Sequence, residues 1–140
     1  MTVVRLNPPD LFDSGPTGFS QITWRDLGGF RHIHLSGHVA WSADKTVAGD
    51  GSLQSQVVES LRNIERGLAH AGATLADVMG MRILILHSHI GEHEAVTAGL
   101  KAMFGHAPPA STWIGVPSLA SPDFLVEIEP DPVIIPVPSP

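Results

Sequence analysis

The fold of this chain is decided by PPASTWIGV at residues 108–116 and by its partner FLVEIE at residues 124–129. The paired prolines cannot continue a helix, and they favour extended backbone around them. β-Branched and aromatic residues then dominate, so both stretches predict short strands. They also hold the best candidate chemistry, which is the STW run at 111–113 and the Glu127 carboxylate among apolar neighbours.

Composition and charge exclude several classes of function. The length of 140 residues predicts one domain, which we place at 1–135 ahead of a proline-rich tail at 136–140. The absence of cysteine excludes disulfides, thiolate nucleophiles and cysteine-ligated zinc. A net charge of −6 with scattered basic residues argues against a nucleic-acid partner. The apolar runs are too short for a membrane span and the N-terminus lacks a signal-peptide pattern, so we expect a soluble cytoplasmic protein.

The N-terminal part of the chain predicts an antiparallel strand pair with a short edge strand. Residues 3–6 form the edge strand, and 19–24 form a longer one that a Gly28-Gly29 hairpin turn joins to the next. In that next strand two sets of residues alternate: Ile33, Leu35, Gly37 and Val39 with His32, His34, Ser36 and His38. The alternation predicts one apolar face and one face of imidazoles and a hydroxyl.

Two helices and a central strand come next. Ser52 is suited to cap a helix that runs to about Ala71, and its apolar stripe consists of Leu53, Val57, Leu61, Ile64 and Leu68. The apolar stretch 78–86 predicts a central strand buried on both faces, and a second helix spans 92–104. With a last short strand at 133–135, the order β-β-α-β-α-β-β predicts an α+β domain with both helices on one face of a mixed sheet.

Five segments of the chain resemble the Rid/YjgF family of reactive-intermediate imine and enamine deaminases. They are FSQ at 19–21, LSGH at 35–38, the helix at 56–73, PPA at 108–110 and VEIE at 126–129. Their order and spacing match the family over more than a hundred residues. The resemblance implies a chorismate-mutase-like homotrimer with helices outside and clefts for small molecules at the subunit interfaces. It also implies hydrolysis of reactive imines or enamines to ketones and ammonia. We expect no cofactor.

The chain departs from the family pattern at the substrate site. Ser111 stands where most members carry an arginine that grips the substrate carboxylate, and a hydroxyl cannot replace a bidentate guanidinium. Phe19 replaces a tyrosine, and Thr97 aligns with an asparagine of the second helix. Trp113 would narrow the cleft and offer a stacking face. His38 replaces a glutamine and adds a group that could titrate near neutral pH.

Each candidate residue has a structural alternative. Glu127 is the candidate catalytic group, because a carboxylate can position the water that attacks an imine carbon; the alternative is a solvated or interface-paired carboxylate. Ser36 and the Gly37 amide would bind polar atoms of a ligand, or else form a strand bulge. Ser111 and Thr112 would donate neutral hydrogen bonds, since no nucleophile elbow surrounds them. The histidine row suits a polar interface better than a metal site, so we expect no metal.

Three functions are compatible with these residues. The first is a Rid-like hydrolase or lyase that acts on a small imine, enamine or unsaturated carbonyl compound, with Glu127 as the acid/base group. Because Ser111 replaces the arginine, activity on 2-iminopropanoate is doubtful and the substrate should be neutral or more aromatic. The second is a non-catalytic protein that binds a small metabolite or has a regulatory role. The third is a cyclase or tautomerase of specialised metabolism on the same fold.

Overall fold

The computed structural model describes residues 2–140 as an α+β fold. Three short 3-10 turns lie at Gly15–Thr17, Leu75–Asp77 and His87–His89. The two helices are α1 (Leu53–His70) and α2 (His93–Phe104). The seven strands are β1 (Val4–Leu6), β2 (Ile22–Leu27), β3 (Phe30–Leu35), β4 (Gly80–Leu86), β5 (Ala110–Val116), β6 (Val126–Pro130) and β7 (Val133–Pro136).

The strands form two sheets that are joined at one point. The first has the order β1-β2-β3-β7 and is antiparallel throughout. The second has the order β5-β4-β6, in which β4 pairs with β5 in parallel and with β6 antiparallel. His38 and Ile128 connect the two sheets, because each amide donates to the other's carbonyl oxygen, at 2.8 and 2.9 Å. The predicted mixture of parallel and antiparallel pairing is therefore confirmed. The strands do not form one continuous sheet, however, because within residues 2–140 only the bridge between His38 and Ile128 joins the two sheets.

Helix α1 provides the centre of the core. The Ser52 side chain caps it by accepting a hydrogen bond from the Ser55 amide, as predicted. All five residues of the predicted apolar stripe are buried, and they pack on the inner faces of the sheets together with α2. No helix within residues 2–140 is long and apolar enough to cross a bilayer.

The predicted Gly28-Gly29 turn is confirmed. It joins β2 to β3 with Leu27 opposite Phe30. Gly28 has φ +61° and Gly29 has φ +83°, a left-handed pair that glycine adopts at little cost and that suits the twist of a two-residue hairpin.

Two strand predictions need correction. The predicted strand 78–86 is central, but only its helix side is buried: Ile83 and Ile85 are in the core, whereas Arg82 is exposed and Leu84 is half-buried. The alternation predicted for residues 32–39 also stops early, because β3 ends at Leu35. Beyond that point the backbone leaves β7 and pairs with β6, which changes the direction of the side chains that come after it.

Candidate functional site

Glu127 lies on the open face of the three-stranded sheet. Val126 and Ile128, its neighbours along β6, are fully buried in the core. Since side chains alternate along a strand, Glu127 points away from the helices, and it is half-buried there. The residue opposite it on β4 is Leu84, which is also half-buried. The sequence thus places a carboxylate in apolar surroundings without hiding it from a ligand.

Gly37 makes room for the Glu127 carboxyl group. A methyl carbon at position 37 would stand 2.8 Å from Oε1 and 3.0 Å from Cδ of Glu127, closer than real contacts allow. The chain reaches this position because Ser36 still pairs with β2, through its amide and the Gln21 carbonyl oxygen, whereas His38 already pairs with β6. The residue between these two pairings lies directly beside the carboxyl group.

A cavity of about 290 Å³ opens beside Glu127. Its walls are aromatic, and neighbouring rings stand at steep angles: Phe12 to Trp41 at 86° with centroids 5.4 Å apart, and Trp41 to Phe124 at 74° and 4.8 Å. Phe19 completes the row at 6.3 Å from Phe12. We call this cavity the Glu127 pocket; it is lined by Phe12, Thr17, Phe19, Gly37, Val39, Trp41, Ala120, Ser121, Phe124 and Glu127.

Two buried amides of α1 hold the walls of the pocket. Asn63 donates from Nδ2 to the carbonyl oxygens of Val39 and Trp41, at 2.8 Å each. Gln56 donates from Nε2 to the Asp123 carbonyl oxygen at 3.0 Å and accepts from the Leu125 amide at 2.9 Å. Both side chains are almost completely buried. The helix therefore fixes the backbone on either side of Phe124 and the backbone of Trp41.

The loop before β2 fixes the part of the pocket wall that is formed by Phe12 and Phe19. Gln21 is buried and donates from Nε2 to the Phe12 carbonyl oxygen at 2.9 Å. The Ser14 hydroxyl lies within hydrogen-bond distance of two acceptors, the Phe19 carbonyl oxygen at 2.6 Å and Oδ1 of Asn7 at 2.8 Å. Asn7 in turn accepts from the Gln21 amide. These side-chain bonds hold an otherwise irregular segment against the sheet.

Among the described residues that line the pocket, Glu127 is the only ionisable one. Loss of hydration on burial raises the pKa of its carboxyl group, and repulsion from Glu129 raises it further. Glu129 itself is paired with Arg82, with Nη2 and Oε1 at 2.5 Å. None of the ion pairs within residues 2–140 involves Glu127. The carboxyl group is thus available to accept or donate a proton.

His38 is not at the mouth of the pocket as an ionisable group. Its side chain is 1% exposed, and Nε2 has no hydrogen-bond partner among the described residues. Burial lowers the pKa of the imidazole to about 4, so the ring is neutral at pH 7. The prediction that His38 titrates near neutral pH is wrong, because the switch of pairing at Gly37 turns this side chain inward.

Ser36 and Thr97 lie outside the lining of the pocket. The Ser36 hydroxyl donates to the Ser20 carbonyl oxygen at 2.8 Å, so its hydrogen atom is engaged within the fold. Thr97 is half-buried on α2, and no residue of α2 lines the Glu127 pocket.

Ser111 and Trp113 lie on the opposite side of the sheet from Glu127. Trp113 pairs with Ile83 across parallel strands, so its side chain shares the helix side with that core residue. Its ring meets His93 edge to face at 5.8 Å, and its Nε1 donates to the Ser111 hydroxyl at 3.0 Å. Strand β4 also separates β5 from β6, which puts their backbones about 10 Å apart. A single chain therefore does not bring Ser111 or Trp113 to the Glu127 carboxyl group.

Thr112 shares with Ser111 a second cavity of about 280 Å³ at the start of β4 and β5. Arg82 and Asp131 also line it. Thr112 stands beside Arg82 on β4, on the open face of the sheet. The Arg82 guanidinium is already bonded to Glu129, so this cavity holds no unpaired arginine among its described lining residues.

The predicted histidine row is divided by the structure. His34 is exposed and His32 is half-buried on the outer face of the four-stranded sheet, whereas His38 is buried between sheet and helix. Across residues 2–140, no three histidine or acidic side chains are arranged as a metal site.

Three wall residues are not predictable from the sequence. Phe12 falls in a loop, Trp41 suits packing or an interface, and Phe124 marks only the start of a strand. No local pattern links them, because they come from three separate segments, whose backbones are held in place by Gln21, Asn63 and Gln56.

Comparison with known proteins places the chain in one family. The model of the family described as endoribonuclease L-PSP matches residues 19–134. No match was found among curated proteins.

Solved structures give the same family over nearly the whole chain. The Rid-family protein YyfB from Yersinia pestis, of unknown function, is 34% identical with a TM-score of 0.66, covering 96% of this chain and 100% of that one. YyfA from the same organism, also of unknown function, is 24% identical with a TM-score of 0.76 and coverages of 97% and 100%. RidA from Psychrobacter is 18% identical with a TM-score of 0.76 and coverages of 94% and 99%, which supports the fold alone. The chain therefore belongs to the Rid family, whose model carries the name endoribonuclease L-PSP.

Proposed function

We propose that this protein hydrolyses a small imine or enamine that lacks a carboxylate, in the Glu127 pocket. The observation that carries the proposal is a single unpaired carboxyl group, with Gly37 beside it, at the wall of an aromatic cavity of about 290 Å³. A Rid-like protein that handles a small molecule needs a site of this size and chemistry.

The carboxyl group has the properties that hydrolysis requires. Addition of water to a C=N bond needs a base to accept a proton from the water, and an acid to protonate the departing nitrogen. A carboxyl group with a raised pKa is a better base when ionised and remains protonated to a higher pH. The aromatic walls would hold the substrate and limit access of bulk water. We assign both proton transfers to Glu127.

The pocket is poorly suited to a carboxylate ligand. Its lining contains no arginine, lysine or histidine, and Glu127 would repel an anion. Ser111 occupies the position of the family arginine, so a second chain that brought residue 111 to the pocket would add a hydroxyl and not a guanidinium. For both reasons, 2-iminopropanoate should be a poor substrate.

A second copy of the chain would complete the cleft. Strand β5 is the edge of its sheet, and Ile114 on it is 37% exposed. The Rid resemblance predicts a homotrimer with clefts between subunits. In such an assembly Ser111, Thr112 and Trp113 of one chain could meet the Glu127 pocket of another, and we include this arrangement in the proposal.

A binding protein without catalysis is the second candidate. One observation favours it: the other polar groups predicted for the site are engaged or buried, since Ser36 bonds to Ser20 and His38 is neutral in the interior. Glu127 would then fix the orientation of a ligand rather than transfer protons.

The two candidates are separated by turnover of the N-methyl imine of benzaldehyde, followed by ultraviolet absorbance. We expect acceleration by the wild-type protein and a loss of about 10²–10⁴-fold in kcat/KM on Glu127→Gln, the usual range for removal of an acid/base group. Glu65→Gln is the control, because it removes an exposed carboxylate of α1 that does not line the pocket, and it should retain activity. Equal rates in Glu127→Gln and wild type would leave only the binding role.

A further inference from the structure

The Glu127 pocket combines an unpaired negative group with electron-rich walls. Besides the indole N–H of Trp41, the polar groups on its described lining side chains are the hydroxyls of Thr17 and Ser121 and the Glu127 carboxyl group. Arg82, the basic residue one row away on β4, is bonded to Glu129. A ligand that enters the pocket therefore meets one carboxyl group and no positive charge from the lining.

The aromatic walls of the Glu127 pocket also favour a positively charged ligand. The face of an aromatic ring carries negative electrostatic potential and attracts a cation, most strongly for tryptophan. The Trp41 ring stands at a steep angle to both Phe12 and Phe124, at 86° and 74°, so the three rings form adjacent walls of a box. Asn63 and Gln56 fix the backbone of these walls, so the box exists before a ligand binds. A preformed aromatic box is the arrangement that proteins use to bind organic ammonium groups.

The two acidic residues of β6 add a further attraction. Glu127 and Glu129 lie two residues apart on the same face, and their mutual repulsion contributes to the raised pKa of Glu127. A cation in the pocket would relieve this repulsion, whereas a neutral ligand of the same shape would not.

We infer that the Glu127 pocket binds an organic monocation with a compact apolar body, such as a protonated imine or amine. The inference rests on the pocket assigned under the proposed function, but not on the reaction. It adds the charge of the substrate to that proposal, because an imine without a carboxylate becomes an organic monocation when its nitrogen takes up a proton.

The test compares two probes of the same shape, choline and 3,3-dimethylbutan-1-ol, by calorimetric titration of the whole protein. The first carries a quaternary nitrogen where the second carries a carbon. We expect choline to bind at least about tenfold more tightly, from its attraction to the rings and to the carboxylate. Equal affinities, tighter binding of the alcohol, or no binding of choline would overturn the inference.

Variants locate the binding and keep the test separate from turnover. Glu127→Gln should weaken choline binding by about tenfold and leave the alcohol within about twofold. Glu65→Gln is the control for lost charge, because Glu65 is exposed on α1 and does not line the pocket. Trp41→Leu should weaken choline more than the alcohol, because it removes a ring but keeps apolar volume. Choline binding that survives both Glu127→Gln and Trp41→Leu would contradict the assignment. If choline binds as expected but no imine is hydrolysed, the proposed reaction fails and the cation site stands.

Discussion

Gly37 and Glu127 lie side by side in the lining of the candidate site. The position of the carboxyl group depends on the absence of a side chain at residue 37, where a methyl carbon would meet Oε1 at 2.8 Å. The sequence predicts both residues as site candidates from their place in the Rid pattern. It does not predict their contact, because the alternation puts Gly37 on the apolar face of a continuous strand.

Gly37→Ala should impair the site while leaving the fold intact. The added methyl group forces the Glu127 carboxyl group to turn away, and a displacement of about 1 Å can cost about 10²-fold in rate. We expect a loss of that order in imine turnover with a change in unfolding free energy under about 1 kcal/mol.

Gly115→Ala is the matched control for this prediction. It adds the same methyl group on β5, outside the pocket, where the nearest atom is Cδ1 of Ile90 at 3.4 Å. Full turnover in both variants would contradict the prediction, because it would show that activity does not depend on the contact between Gly37 and Glu127.

His38 should make the fold sensitive to acid. The pKa of its imidazole is about 4 in the folded chain and 6.5 in the unfolded one, so the unfolded state binds the proton first as pH falls. The stability contribution is complete above pH 6.5 and is lost between 6.5 and 4, by about 3 kcal/mol. Urea unfolding of wild type and His38→Leu across this range measures it. Parallel stability curves for the two proteins would rule out the buried neutral imidazole.

At the scale of elements, α1 links the core to the site. Its apolar stripe packs on the sheets, while Gln56 and Asn63 use their amides to hold loops that carry the aromatic walls. The stripe is predictable because it depends only on spacing along one helix. The amide contacts are not, because their partners lie 22 to 69 residues away along the chain.

Asn63→Ala should destabilise the protein and disturb the pocket. The change leaves the carbonyl oxygens of Val39 and Trp41 without their donor, and a buried unpaired group costs about 1–3 kcal/mol. We expect a loss of about 2–3 kcal/mol in unfolding free energy together with weaker choline binding. Glu65→Ala, an exposed change on the same helix, should alter stability by less than about 0.5 kcal/mol. Equal stability of the two variants would contradict the role of Asn63.

The end of β3 at Leu35 is a feature that the alternation of apolar and polar residues does not predict. Alternation over residues 32–39 predicts one strand, because period-two patterns carry no information about which neighbour a strand pairs with. In the structure Ser36 pairs with β2 and His38 with β6. That exchange of partners turns His38 inward and places Gly37 at the carboxyl group.

At the scale of the molecule, the chain has the Rid fold, and its candidate site residues lie on both sides of the three-stranded sheet. The family resemblance correctly predicts the fold from a few short segments, and the hydrophobic patterns correctly predict the two helices and the mixed sheet. Within one chain, however, Ser111 and Trp113 are on the helix side of the sheet, and Glu127 is on the open side. The spacing of the motifs along the chain does not predict that these side chains lie on opposite faces of the sheet. Their faces depend on the register of β5 and β6 against β4.

The most direct measurement compares kcat/KM for the N-methyl imine of benzaldehyde and for 2-iminopropanoate generated in situ by an amino-acid oxidase. For the wild-type protein we predict at least about 10²-fold preference for the uncharged imine, because the described lining of the Glu127 pocket has no cationic side chain to bind a carboxylate. Ser111→Arg should reduce this preference if a second chain brings residue 111 to the pocket. Efficient hydrolysis of 2-iminopropanoate by the wild-type protein would contradict the central claim that this site takes ligands without a carboxylate.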